Sequence, residues 1–455
     1  MATTERSAAA ERLAAFTVAL RHDDVPAGVR ERAVLHILDA VGCAYAASAM
    51  GEGGEARTVV EALGGTPESS LIGARVRAPA TGAALANGTL MHALDFDDTH
   101  PASICHITTV VAPAALAVAE AIGAGGRELV TAYVAGCETV ARIGAAANGE
   151  FHRRGFHATG VCGVFGATVA AARLLSLDAA ATTRALGIAG SFAPGLLEFL
   201  GDGSSTKRLH AGGAARAGVE AALLAAAGAT GPAGVLDGRY GLYATHLGDP
   251  HVAAIAEQLD DLGTRWETAA MAIKPYPCCH FMHGALEALA SLDVAAADVV
   301  SIDVRVADAG VGLILEPAAD KPRPRTPYDA KFSLPFTAGA LLVHGRVGVA
   351  TFTSAGIDDE AAVAVARRLR YEPVPLAEMA NGFGGSVTVR TADGRTLAAA
   401  VEHPRGSVNA PMATGEVRAK FRDNASLALA ADVVLALETA ILGADEAQRA
   451  LELPA

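Results

Sequence analysis

Apolar residues recur at helical spacing through the first 265 residues of this chain, and most are alanine or another small residue. Val130, Tyr133, Val134, Cys137, Val140, Ala141 and Gly144 follow the i, i+3, i+4 rhythm that puts one buried stripe on a helix. Similar stripes run through residues 33–47, 107–122, 161–175 and 214–227, separated by Gly-rich turn signals at 123–126 and 228–232. Small side chains let helix axes approach closely. The pattern predicts a tightly packed all-helical domain, interrupted before Trp266 only by a short strand pair near 70–77.

The character changes after Lys274. Ile302, Val304 and Val306 alternate with polar residues, as a half-buried strand requires. Val387 and Val389 precede Asp393-Gly394, and Leu397, Ala399 and Val401 follow it, which predicts a hairpin with a type I′ turn. Helices are expected over 282–292 and 358–369, and again over 412–441. The reading is mainly α with an inserted α+β lid: an all-helical domain over 1–265, a smaller α+β domain over 266–403, and a C-terminal segment over 404–455 that packs back on the first domain. A chain of 455 residues is long enough for more than one core.

Charge narrows the function classes. Thirty-six basic against 49 acidic residues give −13, which argues against nucleic acid or an anionic membrane as partner. Any anionic substrate must then meet a local basic pocket. The start, Met-Ala-Thr-Thr-Glu-Arg-Ser, lacks the cationic and apolar regions of a secretory signal. The Gly-rich apolar run over 159–172 is too short to span a bilayer. A cytoplasmic protein is expected. Its strongly apolar helical domain predicts a homodimer. The six cysteines, Cys43, Cys105, Cys137, Cys162, Cys278 and Cys279, show no zinc-type spacing and read as reduced packing residues.

One segment carries chemistry. Residues 87–100 read Asn-Gly-Thr-Leu-Met-His-Ala-Leu-Asp-Phe-Asp-Asp-Thr-His, an apolar helix ending in Asp95, Asp97 and Asp98, with His106 following soon after. Clustered carboxylates repel one another unless partners offset them, so such clusters mark metal binding, proton transfer, or an acidic cap on the next helix. Four further stretches stand out: Gly155-Phe-His-Ala-Thr-Gly160, Asp202-Gly203 through Lys207 to His210 and Gly212, Lys274-Pro-Tyr-Pro-Cys-Cys-His280 with His283 beyond, and Pro327-Tyr-Asp-Ala-Lys-Phe-Ser-Leu-Pro-Phe336. Lys207 at the start of a helix and Lys274 between prolines suit the holding of carboxylates, and His106 and His157 suit proton movement near neutral pH. Lys321, Arg323 and Arg325 alternate with prolines and read as a solvated linker.

Taken in order, these five stretches resemble the signature of the MmgE/PrpD family, which includes 2-methylcitrate dehydratases, cis-aconitate decarboxylases and iminodisuccinate epimerases. The resemblance implies a cofactor-independent lyase acting on a small anionic polycarboxylate through a stabilised carbanion, with no metal. Dehydration of 2-methylcitrate or a close analogue is the leading expectation, and decarboxylation and epimerisation are the alternatives. By the same resemblance Asp95, His106, His157, Lys207 and Lys274 are the candidate catalytic residues, and Thr99, His210 and Phe336 the candidate substrate-binding ones. Asp97 and Asp98 would brace the loop or orient a histidine. Phe336 stands where some relatives carry Tyr. Two rivals are a metal-dependent hydrolase using His92, Asp95, Asp98, His100 and His106, and a non-catalytic binding protein.

Overall fold

The computed structural model describes residues 8–193, 195–375, 383–449 and 451–455. The polar stretch 1–7, read above for a leader, lies outside them. Helices dominate the first part of the chain: Ala27–Ala49, Ala80–Ala93, Thr108–Ile122, Gly126–Ala146, Ala158–Leu174 and Thr206–Ala226. Their alanine, valine and glycine faces form one continuous buried core. Two two-residue strands, Ser69–Ser70 and Arg77–Ala78, pair antiparallel where a short pair was expected. Among the described residues no single helix is long and apolar enough to cross a membrane.

Close helix contact explains why so many of the core residues are small. Helix Thr206–Ala226 packs across Ala80–Ala93 and Ala158–Leu174. At the first crossing, a Cβ on Gly212 would lie 2.2 Å from the Leu85 carbonyl oxygen and 2.3 Å from Thr89 Oγ1, and one on Gly88 would lie 2.9 Å from Gly212 Cα. Only glycine permits that approach. It draws the end of one helix, where the carboxylates begin, toward the first turn of the other, where Lys207 sits.

The second core belongs to an α+β lid. Its sheet runs in the order Leu369–Val374, Val299–Ala307, Gly385–Thr391, Thr396–Val401, with the first pair parallel and the others antiparallel. Val304 faces Val387 across the central pair, and helices His283–Ala290 and Leu334–His344 supply Leu286, Leu289, Leu334 and Phe336 to the same core. The C-terminal helices Thr414–Ala425 and Ala431–Leu442 return to the helical core through Val417, Phe421, Leu437 and Ile441. The mainly helical architecture with an inserted α+β part matches the sequence reading.

Four details differ from that reading. The helix expected over 358–369 ends at Ala366, and Leu369–Val374 forms a largely exposed edge strand that tolerates Pro373 because an edge leaves one side unpaired. The helix expected over 412–441 is broken at 426–430, and Glu438 accepts from Arg418 at 2.6 Å and Arg422 at 2.7 Å across the break. Of the Asp393-Gly394 pair only Gly394 has positive φ (86°), so the turn is the longer, bulged kind and not type I′. Lys321 is buried and donates to the Leu313 and Phe332 carbonyls at 2.6 and 2.7 Å, tying the supposed linker to the lid.

The glycine crossing can be tested by a matched pair of variants. Gly212→Ala is expected to lower unfolding stability by about 1–3 kcal/mol through overpacking. Gly213→Ala, whose Cβ would meet nothing within 4 Å, should be neutral or slightly stabilising because alanine is the better helix former. Chemical denaturation of both proteins reads the difference, and equal stabilities would refute the crossing as a constraint.

Candidate active site

The helix Ala80–Ala93 ends at Leu94, and Asp95 follows with a left-handed backbone (φ 52°) that aspartate tolerates better than most residues. That turn sends the Asp95 carboxylate inward. Lys207 Nζ lies 2.6 Å and Lys274 Nζ 3.1 Å from the same oxygen, Oδ1. Lys274 also donates to the Asp95 backbone carbonyl at 3.0 Å. All three residues are buried, and the second carboxylate oxygen has no partner. Burial alone would raise this carboxyl, but Lys207, Lys274 and His106 outweigh it and hold it well below the usual carboxylate range.

Lys274 reaches this point by a tethered approach. Glu138, buried on helix Gly126–Ala146, accepts from the backbone of Glu267 at 3.1 Å and of Thr268 at 2.8 Å. Ala272 and Thr99 then exchange both backbone hydrogen bonds at 2.8 Å. The segment leading into the lid is therefore pinned to the helical domain two residues before Lys274. Thr99 lies on the cavity wall, with its hydroxyl 3.5 Å from His106 Nδ1.

The three carboxylates have separate duties. Asp97 sits between two imidazoles, 3.0 Å from His92 Nδ1 and 2.9 Å from His106 Nδ1. His106 Nδ1 donates to the Asp98 carbonyl at 2.8 Å, which directs its Nε2 toward the cavity, 3.9 Å from Asp95. Asp98 faces away. It accepts from the Thr108 backbone at 3.2 Å and from the Thr108 hydroxyl, and it pairs with His36 at 2.8 Å, so it caps helix Thr108–Ile122.

Histidines surround the remaining space. His157 Nδ1 lies 3.2 Å from His210 Nδ1, its Nε2 has no hydrogen-bond partner among the described residues, and its ring stacks on His92 with centroids 5.7 Å apart. Burial and then Lys207 push His157 well below the usual imidazole value. His280 from the lid lies flat against Phe383, and neither ring nitrogen has a hydrogen-bond partner among the described residues. The cavity they enclose has a free volume of about 50 Å³, lined by Asp95, Thr99, His106, His157, Lys207 and Lys274 on its polar side and by Phe199, Phe281, Phe332 and Phe383 elsewhere. That is room for one or two waters, less than a polycarboxylate occupies.

The expected site residues therefore meet, with two exceptions. Phe336 is fully buried in the lid core and does not line the cavity. Its backbone N–H is capped by Ser333 at the start of its helix, and Phe332 lines the cavity in its stead, its ring centroid 5.1 Å from Lys207 Nζ. His210 touches His157 and does not itself line the cavity. His100 is bound between Ser103 (2.9 Å) and Glu267 (3.1 Å), away from the cavity, which leaves His106 as the pocket histidine. His152 was not among the candidates, His92 entered only as a ligand in the metal-dependent rival, and His280 only as the end of a motif. Their roles depend on groups beyond the helix that carries each, and no spacing rule displays those.

Among the described residues, the groups close enough together to hold a metal are these same ones. His92, His106 and His157, or His92, Asp95, Asp97 and His106, offer ligand atoms within 4.8 Å of one another. Two ammonium groups already rest on Asp95, and their charge opposes a divalent cation there.

The buried histidines make an acid-stability prediction. Burial holds His92, His100 and His210 down to about 4, and His152 and His283 to about 3. The unfolded chain binds protons near 6.5 that the folded one refuses, so their contribution is complete above that pH and is lost progressively as pH falls toward 4 and below. Asp39, raised to about 6 by burial, acts in the opposite direction but is one group against five. The melting temperature should fall steadily from pH 6.5 to pH 4.5 in calorimetry, and a flat profile would contradict the buried neutral state.

Comparison with known proteins identifies the family. The MmgE/PrpD N-terminal domain model matches residues 11–254 and the MmgE/PrpD C-terminal domain model matches 276–442. A cis-aconitate decarboxylase-like protein of Aspergillus oryzae is 28% identical over 99% of this chain and 97% of its own length. The human cis-aconitate decarboxylase is 30% identical over 80% of this chain and 76% of its own, and that of Aspergillus terreus 30% over 60% and 58%. With both domain models matched in order along the fold, the chain belongs to the MmgE/PrpD family.

Proposed function

We propose that the protein is a lyase acting on a small polycarboxylate, and that it works by decarboxylation of a cis-aconitate-like acid. The observation that carries this reading is the convergence of Lys207 and Lys274 on one point of a buried cavity otherwise ringed by imidazoles and phenyl rings. Two fixed cations in a low-dielectric pocket stabilise charge that develops on an already anionic substrate. The cis-aconitate decarboxylases among its relatives support the same choice.

In the proposed reaction the substrate's carboxylates bind at Lys207 and Lys274. The bond to the leaving carboxylate breaks, CO2 departs, and the electron pair spreads toward the carboxylates that remain. A proton from His106 then closes the carbon. His106 is placed for this because Asp97 and Asp95 lie at its two ring nitrogens, 2.9 and 3.9 Å away. Asp95 holds both ammonium groups in place before substrate arrives.

Dehydration of 2-methylcitrate is the second reading, and one observation favours it. Decarboxylation needs a single proton donor, whereas His157 offers a further buried, unpartnered Nε2 held neutral. A neutral base at that position could remove a carbon-bound proton while His106 protonates the departing hydroxyl. Incubation with cis-aconitate and, separately, 2-methylcitrate in D2O separates the two by NMR. Loss of CO2 with uptake of one deuterium on carbon supports decarboxylation, loss of water supports dehydration, and no change in either acid or in a wider di- and tricarboxylate panel would overturn the lyase reading. The homodimer is part of the proposal: Val59, Leu63 and Val76 are exposed apolar residues of the helical domain, and light scattering at micromolar concentration tests it.

Two outcomes follow for variants and conditions. Lys207→Met and Lys274→Met should each lower kcat/KM about a hundredfold or more, the cost of removing a positioned charge. Their melting temperatures should also drop, because each leaves buried Asp95 with one ammonium in place of two. Near-normal kcat/KM in both would refute the site. Prolonged dialysis against EDTA is expected to leave turnover intact, and restoration of a lost activity by a divalent ion would refute the ammonium-based reading.

A further inference from the structure

Three successive backbone carbonyls at the end of the Asp95 turn each accept a hydrogen bond from a buried lysine. Lys331 Nζ donates to the Leu94 carbonyl at 2.8 Å, Lys274 Nζ to that of Asp95 at 3.0 Å, and Lys420 Nζ to that of Phe96 at 2.6 Å. The three come from different parts of the chain. Lys274 stands where the lid begins, Lys331 lies within the lid just before helix Leu334–His344, and Lys420 projects from the C-terminal helix Thr414–Ala425. All are at most 8% exposed. Only the first of them contacts the Asp95 carboxylate.

We propose that Lys331 and Lys420 are positioning residues that clamp the backbone of residues 94–96, so that docking of the lid and of the C-terminal helix sets the place of the Asp95 carboxylate. A turn with a left-handed aspartate exposes carbonyls that neither helix nor sheet can satisfy. Ammonium donors satisfy them with stronger, charge-assisted bonds. Lys331 spans the lid and the helical domain, donating also to the Pro277 carbonyl at 3.2 Å and lying 4.6 Å from the Phe352 ring. Both of its hydrogen-bond partners are neutral oxygens. Burial of a cation on neutral acceptors is costly, and burial pushes Lys331 down to about 8. Such a residue is an expensive way to stabilise a core, and its reach to Leu94 gives it a specific task. Lys420 is anchored differently. It pairs with Asp39 at 2.7 Å and sits over the Phe96 ring at 3.8 Å, so it grips that residue by both backbone and side chain.

The effect on turnover rests on the lyase reading above, whereas the clamp itself does not, and the test separates them. Lys331→Met and the double variant Asp39→Asn/Lys420→Met, which leaves no unpaired carboxylate, are compared with the wild-type protein by amide hydrogen exchange and by kcat and KM. The clamp predicts exchange at least tenfold faster in residues 92–100, unchanged rates in helix Ala158–Leu174, and a kcat at least tenfold lower. Lys331→Arg, which can still donate to Leu94, should recover part of both. Unchanged exchange at 92–100 would overturn the proposal whatever the activity. So would exchange that rises equally in Ala158–Leu174, or failure of Lys331→Met to fold, since either makes the lysine a support of the whole core. If the wild-type protein turns over no carboxylate, the lyase reading falls and the exchange comparison still decides the clamp.

Discussion

Asp95 shares one oxygen with two lysines inside a small buried pocket, and the rest of the structure is organised around making that tolerable. Removing three charged groups from solvent costs several kcal/mol for each before their attraction is counted. The contacts must therefore be short and the geometry fixed. Gly88 and Gly212 let two helices approach until the Asp95 turn and Lys207 meet, and the Thr99–Ala272 pairing delivers Lys274 from the other side. A shift of an ångström in either helix would leave a buried charge without its partner.

The same burial prepares the chemistry. Burial and the charge of Lys207 hold His157 neutral, and its Nε2 has no partner among the described residues, while Asp97 and the Asp98 carbonyl fix the orientation of His106. Ammonium groups and neutral imidazoles together suit a reaction in which negative charge grows on an anion and a proton moves at carbon. They suit a divalent metal poorly, although the histidines alone are close enough to bind one. The acid cluster of residues 95–98 thus divides its labour: one carboxylate for the lysines, one for two histidines, and one for the cap of the following helix.

Much of this was legible along the chain because helical burial is a local pattern. Stripes such as Val130 through Gly144 announced helices that the structure contains, and alternation at Ile302, Val304 and Val306 announced the central strand. Motif resemblance also gathered Asp95, His106, His157, Lys207 and Lys274, which do line or reach one cavity. Errors arose where a neighbour distant in sequence decided the outcome. Leu369–Val374 became a strand because Val299–Ala307 offered it an edge. Lys321 reads as a solvated cation until the Leu313 and Phe332 carbonyls are seen around it.

The sequence by itself determined the helical and α+β content, the family and the residue types of the site, since periodicity, turn chemistry and motif order are all written along one strand of text. Tertiary structure alone decided which groups work together. It set His106 and not His100 on the cavity, put Phe332 where Phe336 was expected, and brought Lys331 and Lys420 to carbonyls more than two hundred residues away. The physical reason is that hydrogen bonds and ion pairs act over about 3 Å in space and carry no memory of separation along the chain.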